Sequence, residues 1–235
     1  MMGEHSSKQY DQELEAIRSK VLQMGGVVET QFAEAMTCFR TGNVERAARV
    51  IGDDSTVNQF EIELDDACNH LIVRRQPAAN DLRSVMATVK VITDLERIGD
   101  EAAKIARTTR DMQARGPSSI NHYEMVRAIA SSATDLLHDA LDAFARQDGG
   151  QALQLIEQDE IVDHEFRSIM RALVTFMMED PRTISSALDT LWVAKAIERI
   201  GDHAKNIAEY VIYVVEGRDI RHQRPASLGS DTPAA

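Results

Sequence analysis

The string Glu96-Arg97-Ile98-Gly99-Asp100 returns unchanged as Glu198-Arg199-Ile200-Gly201-Asp202. Extended to Glu96–Ala106 and Glu198–Ala208, the two stretches share eight of eleven residues at an offset of 102. A chain of 235 residues that copies itself this closely is constrained by the copy. Whatever one half builds the other must build too, and the two products have to fit together.

The apolar pattern says what each half builds. Leu14, Ile17, Val21, Met24, Val28, Phe32, Ala35 and Phe39 recur at alternating steps of three and four. That spacing puts them on one face of a long amphipathic helix, after a polar and frayed opening from Met1 to Tyr10. Thr41-Gly42-Asn43 breaks the helix, and Asn43 is placed to cap the next one. A second helix runs to about Arg75, Gln76-Pro77 interrupts, and Asn80 or Asp81 opens a third that lasts to about Gln113. Gly116-Pro117-Ser118-Ser119 is the clearest break in the chain. The pattern then restarts. Val126, Ile129, Ala133, Leu137, Ala140 and Phe144 stand 105 residues after Val21, Met24, Val28, Phe32, Ala35 and Phe39. Asp148-Gly149-Gly150 takes the place of the first break, and Asp180-Pro181 parallels Gln76-Pro77. A last helix carrying Val193, Ile197, Ile200, Ala204, Ile207 and Val211 ends near Gly217. The fold class predicted is all-α, two tandem antiparallel three-helix bundles from an internal duplication. The bundles occupy residues 1–115 and 116–217, and residues 218–235 read as a mobile tail. The periodicity does not say how the bundles lie against each other.

Composition narrows the function. The net charge of −12 argues against a general nucleic-acid binder, which needs a basic face, and is compatible with binding cations or a basic partner surface. Cys38 and Cys68 lie in apolar helical patterns and read as buried, reduced thiols of a cytosolic protein. No apolar run approaches the ~18–20 residues of a membrane span, so any membrane association is expected through partners. There is no Gly-rich phosphate loop, no G-x-S-x-G elbow and no Cys–His constellation with catalytic spacing.

The repeated element carries the chemistry. Glu96 and Asp100 are four apart, as are Glu198 and Asp202, so each pair projects from one side of a helix. At about 100° per residue, Glu198 and Asp202 fall nearly opposite the stripe Val193, Ile197, Ile200 and Ala204, which predicts that they face away from their own bundle's seam. Each pair brings like-charge repulsion of a few tenths of a kcal/mol, and the glycine inside each helix costs about 1 kcal/mol relative to alanine. Both penalties occur twice, which suggests a compensating use. One use is a metal: paired carboxylates supply hard oxygen donors suited to Mg²⁺, Mn²⁺, Ca²⁺ or iron. Further donors would come from Asp159 and Asp163 in the second copy. The matching positions in the first are Asp54 and Asn58, with Glu61 and Asp65 a substitute pair. The plainer reading is a solvated acidic face balanced by Arg97 and Arg199. The repeated glycines are best read as points of close helix–helix approach. The histidines share no spacing; His203 follows Asp202, but its counterpart is Glu101. A metal-dependent hydrolase or a metal-binding protein is the alternative function these residues leave open.

The chain also resembles a known family. The duplicated E-R-I-G-D helix, Arg74-Arg75-Gln76-Pro77 followed by Asp81-Leu82-Arg83, Asp142-Ala143-Phe144-Ala145-Arg146, and the run from Met177 to Ile184 are all similar to the PhoU family. The similarity spans Tyr10 to Arg224. It implies two three-helix bundles and a cytoplasmic, usually homodimeric adaptor without enzymatic activity. Such a protein represses the phosphate-starvation regulon and modulates phosphate uptake when phosphate is plentiful, through the sensor histidine kinase PhoR and the transporter ATPase PstB. Some members carry metal clusters on paired E/D-x-x-x-D motifs. Carried over, the ligands would be Asp159, Asp163, Glu198 and Asp202 in one copy, and Asp54, Glu96 and Asp100 in the other. Asn58 departs from the motif, which weakens the first-copy site. A divalent metal (Mg, Mn or Fe) is thus compatible with the sequence and not required by it.

Overall fold

The computed structural model describes residues 2–116 and 122–220. Its helices are α1 (Met2–Thr41), α2 (Val44–Arg75), α3 (Asn80–Arg115), α4 (His122–Arg146), α5 (Gly149–Glu179) and α6 (Ile184–Glu216), with a 3₁₀ turn over Pro181–Thr183. The described residues contain no strand. This is the all-α pair of three-helix bundles that the periodicity predicts. Pro117, Ser118 and Ser119 of the predicted central break, and the tail from Arg221 onward, lie outside the described residues.

Local chemistry sets the ends. The Asn43 side chain accepts a hydrogen bond from the Arg46 amide at 2.8 Å, and Asp148 accepts one from Gln151 at 3.0 Å. Each satisfies a donor that the first turn of a helix leaves free. The repeat therefore preserves the capping device as well as the apolar stripe. Gly217 closes α6 at φ 73°, its amide donating to the Tyr213 carbonyl, a left-handed conformation that glycine adopts without penalty.

Two expectations at the termini are corrected. The opening is helical from Met2, and Tyr10 is buried, its hydroxyl donating to the Asp81 carbonyl at 2.9 Å. An aromatic ring packed over the start of α3 holds this end of α1, which the polar composition did not foretell. At the other end, Ile220 is 2% exposed, so this residue of the supposed mobile tail packs onto the body.

The bundles lie side by side. α3 and α6 run antiparallel along their length: Lys90 sits over Tyr210 and Tyr213, Asp94 meets His203, Glu101 meets Arg199, and Arg115 meets Asp189. α1 and α4 pair likewise, through Arg18 over Phe144, Glu29 with His138, and Arg40 over Tyr123. The centre is thus a four-helix layer of α1, α3, α6 and α4, with α2 and α5 packed on its flanks. One continuous apolar core runs through both copies, from Val21, Phe32 and Ile98 to Leu137 and Ile200. Cys38 and Cys68 are free and buried, as their apolar setting predicts, and burial pushes the Cys68 thiol up to about 11.

Candidate functional site

In the second copy α5 and α6 bring the expected residues together. Asp159 is 4% exposed and Glu198 8%, while Asp163 and Asp202 are half-buried. The expectation that Glu198 and Asp202 face away from the bundle is therefore wrong. α6 has neighbours on three sides, α3, α4 and α5, so the side opposite its most apolar stripe is not solvent but the flank of α5. There burial, with Glu198, Asp159 and Asp163 nearby, raises the Asp202 carboxyl to about 6. The Lys205 ammonium donates to Asp159 at 2.7 Å, and that of Lys195 to Glu198 at 2.6 Å. The bond to Asp159 and its charge hold the Lys205 pKa above its usual value although burial pulls the other way. Among the described residues neither Asp163 nor Asp202 has an ion-pair partner.

The first copy builds a looser counterpart. Burial, then Asp100, Glu61 and Asp54, raise the Glu96 carboxyl. Glu61 is raised by burial and by Asp65. Asp54 accepts from the Gln31 amide at 3.2 Å and faces the Arg107 guanidinium at 3.9 Å. Asn58 is exposed; Glu61, not Asn58, completes the carboxylate group here. The donors are of the hard type that Mg²⁺ or Mn²⁺ takes. As placed, however, two in the second copy are held by ammonium groups. Among the described residues no three His, Cys, Asp or Glu side chains are grouped as a formed metal site requires.

The repeated glycines serve packing. A Cβ on Gly99 would lie 3.1 Å from Gln31 Oε1 and 3.2 Å from Val57 Cγ1, and one on Gly201 would lie 3.1 Å from Val162 Cγ1. The absent side chain lets α2 approach α3, and α5 approach α6, at the level of the carboxylates. The helix penalty is thus offset by the approach that assembles the cluster.

A second polar group lies at the α3–α6 junction, and repetition gave no hint of it. Asp94, 2% exposed, accepts from Asn206 at 3.2 Å and lies 2.7 Å from His203 Nδ1. Glu101, 4% exposed, accepts from Arg199 at 2.9 Å and from Lys104 at 2.7 Å. Arg199 therefore pairs across the molecule with the other copy, not with its own acidic face. Glu101, Lys104, Arg199 and His203, with Arg97 and Asp100, line a cleft of about 310 Å³. The signal was the reverse of the one sought. Asp94, Glu101 and Lys104 stand opposite Ala196, His203 and Asn206 in the repeat, and packed copies need complementary residues rather than identical ones.

Among the described residues no helix is long and apolar enough to cross a membrane. Comparison with known proteins agrees with this architecture. The PhoU domain model matches twice, over residues 21–109 and 126–211. A Burkholderia protein named "Phosphate-specific transport system accessory protein PhoU homolog" is 41% identical over 98% of this chain and 99% of its own length. Its Escherichia coli K12 relative, named "Phosphate-specific transport system accessory protein PhoU", is 44% identical over 94% of this chain and 91% of its own. The crystal structure of PhoU from Pseudomonas aeruginosa superposes with a TM-score of 0.85 at 45% identity, covering 89% of this chain and all of that one. Two matched domains and near full-length relatives place the chain in the PhoU family.

Proposed function

We propose that this protein is a non-enzymatic, cytoplasmic regulator of phosphate uptake. It represses the phosphate-starvation regulon and restrains high-affinity transport when phosphate is plentiful, as a homodimer in contact with the sensor kinase PhoR and the transporter ATPase PstB. One observation carries the reading: proteins named as accessory to phosphate-specific transport align with nearly its whole length. The test is an in-frame deletion in cells grown in ample phosphate. Alkaline phosphatase and transporter expression are expected to rise; if both stay low, the repressor role is wrong.

A second reading, uptake of Mg²⁺ or Mn²⁺ at the second copy, is favoured by the crowding of Asp159, Asp163, Glu198 and Asp202 that raises Asp202. A metal would have to displace Lys195 and Lys205 from Glu198 and Asp159. Calorimetry on metal-stripped protein decides it: binding lost in Asp163→Ala/Asp202→Ala supports the site. No heat at millimolar metal removes it, together with any hydrolase that depends on it.

A further inference from the structure

The two copies differ in part on the face where α5 meets α6. Met170, Val174 and Met178 follow one another at steps of four on α5, and Ile184, Leu188 and Trp192 do so on α6. All six are exposed, from 39% at Met170 to 66% at Trp192 and 80% at Met178. The helices are antiparallel, with Lys205 against Asp159, Lys195 over the Phe166 ring and Thr183 bonded to Phe176. That register sets Met170 level with Trp192, Val174 with Leu188 and Met178 with Ile184. Exposed at matching levels of two paired helices, the six make up an apolar strip. In the first copy Asp65, Asn69 and Lys90 replace Met170, Val174 and Trp192, while Val73, Leu82 and Met86 keep the other three places apolar. The fold thus does not need apolar residues at Met170, Val174 and Trp192, and large exposed apolar patches mark contact surfaces.

The same groove continues into the acidic cluster. Asp163 lies on the α5 flank that carries Met170, and Asp202 on the α6 side that carries Leu188; among the described residues neither carboxylate has an ion-pair partner. From Met178 to Asp163 is about 22 Å at 1.5 Å per residue. We propose that this groove docks an amphipathic helix of a partner protein, with apolar anchors at steps of three and four over one half and lysine or arginine over the other. The anchors cover the strip, and the basic end meets Asp163 and Asp202. A negatively charged lipid surface fits less well, because it would bring anions against that cluster. The inference rests on the accessory-protein reading only for the existence of a partner.

Trp192 is the single tryptophan of the chain and reports directly on the strip. The full-length protein is titrated with a synthetic helical peptide of roughly 16 residues, enough to span ~24 Å. It carries Leu at steps of three and four and Lys-Arg pairs in its last turn, where basic residues suit the helix dipole. Expected are a saturable blue shift of Trp192 emission, loss of binding in Met170→Lys, and about tenfold weaker binding in Asp163→Asn/Asp202→Asn. Met170→Lys should fold, since the first copy carries Asp65 at that place; circular dichroism checks it. An unshifted Trp192, or equal binding of a peptide with Glu in place of Lys and Arg, overturns the proposal. So does a shift with phosphatidylcholine vesicles and none with peptide. Sedimentation showing a dimer that Met170→Lys splits would assign the strip to a second copy instead. None of these outcomes depends on the response of cells to phosphate, so the regulatory reading stands or falls separately.

Discussion

At the scale of single residues, the site is shaped by what is missing and by what is crowded. Gly52 sits in α2 with open space where a Cβ would go. Gly52→Ala should therefore gain the helix propensity of about 0.5–1 kcal/mol and raise the melting temperature by about 1–4 °C. Gly201→Ala meets Val162 at 3.1 Å, and a β-branched neighbour between two helices has little room to yield. No rise is expected there; equal rises for both variants in thermal melts would refute the packing role. Asp202 shows the opposite effect, too many neighbours. Its carboxyl is raised from 3.8 to about 6, so between these values the native state binds more protons than the unfolded chain. Stability falls as pH climbs through that window, and the loss is complete above it. Asp202→Asn should accordingly stabilise the protein at pH 7–8 and hardly at all near pH 4. The gain is on the order of 1 kcal/mol, once solvent screening of a half-buried group is allowed for. Melting curves at the two pH values give the answer; a gain that is larger at low pH would show that the sign is wrong.

At the scale of elements, the α3–α6 contact holds the two copies together through polar groups set in an apolar interface. Asp94 is the centre of it, 2% exposed with His203 and Asn206 as partners. Removing one member of such a group leaves the others buried and unmatched. Asp94→Ala is expected to lower unfolding free energy by about 2–3 kcal/mol, measured by urea denaturation. The His203→Ala and double variants complete a cycle in which coupling should be evident, since the residues touch. Independent, additive losses would mean that Asp94 acts through something other than this contact.

At the scale of the whole molecule, the duplication explains both what the copies share and where they part. Stripes, caps, carboxylate pairs and packing glycines are repeated because each bundle needs them. The α3–α6 junction is not repeated, and the α5–α6 groove is repeated only in part. At the first the copies meet each other, and the second is where we place a partner. Much of this was legible in the residues. Periods of three and four mark the helices, Asn43 caps one of them, and Gly99 and Gly201 mark close approach; such signals act within a few turns of one chain. The pairing of Glu198 and Asp202 with Asp159 and Asp163 was also visible as residue types. What sequence periodicity could not settle was direction in space. A helical wheel shows which side of α6 is most apolar, but the opposite side is solvent only if no third helix lies there, and α5 does. The ammonium group on Asp159, the anchoring of Tyr10 and the pairing of Arg199 with Glu101 all depend on contacts between distant segments. Local backbone preference and burial pattern are properties of the chain itself; which polar groups end up sharing a low-dielectric space is decided only when the helices pack.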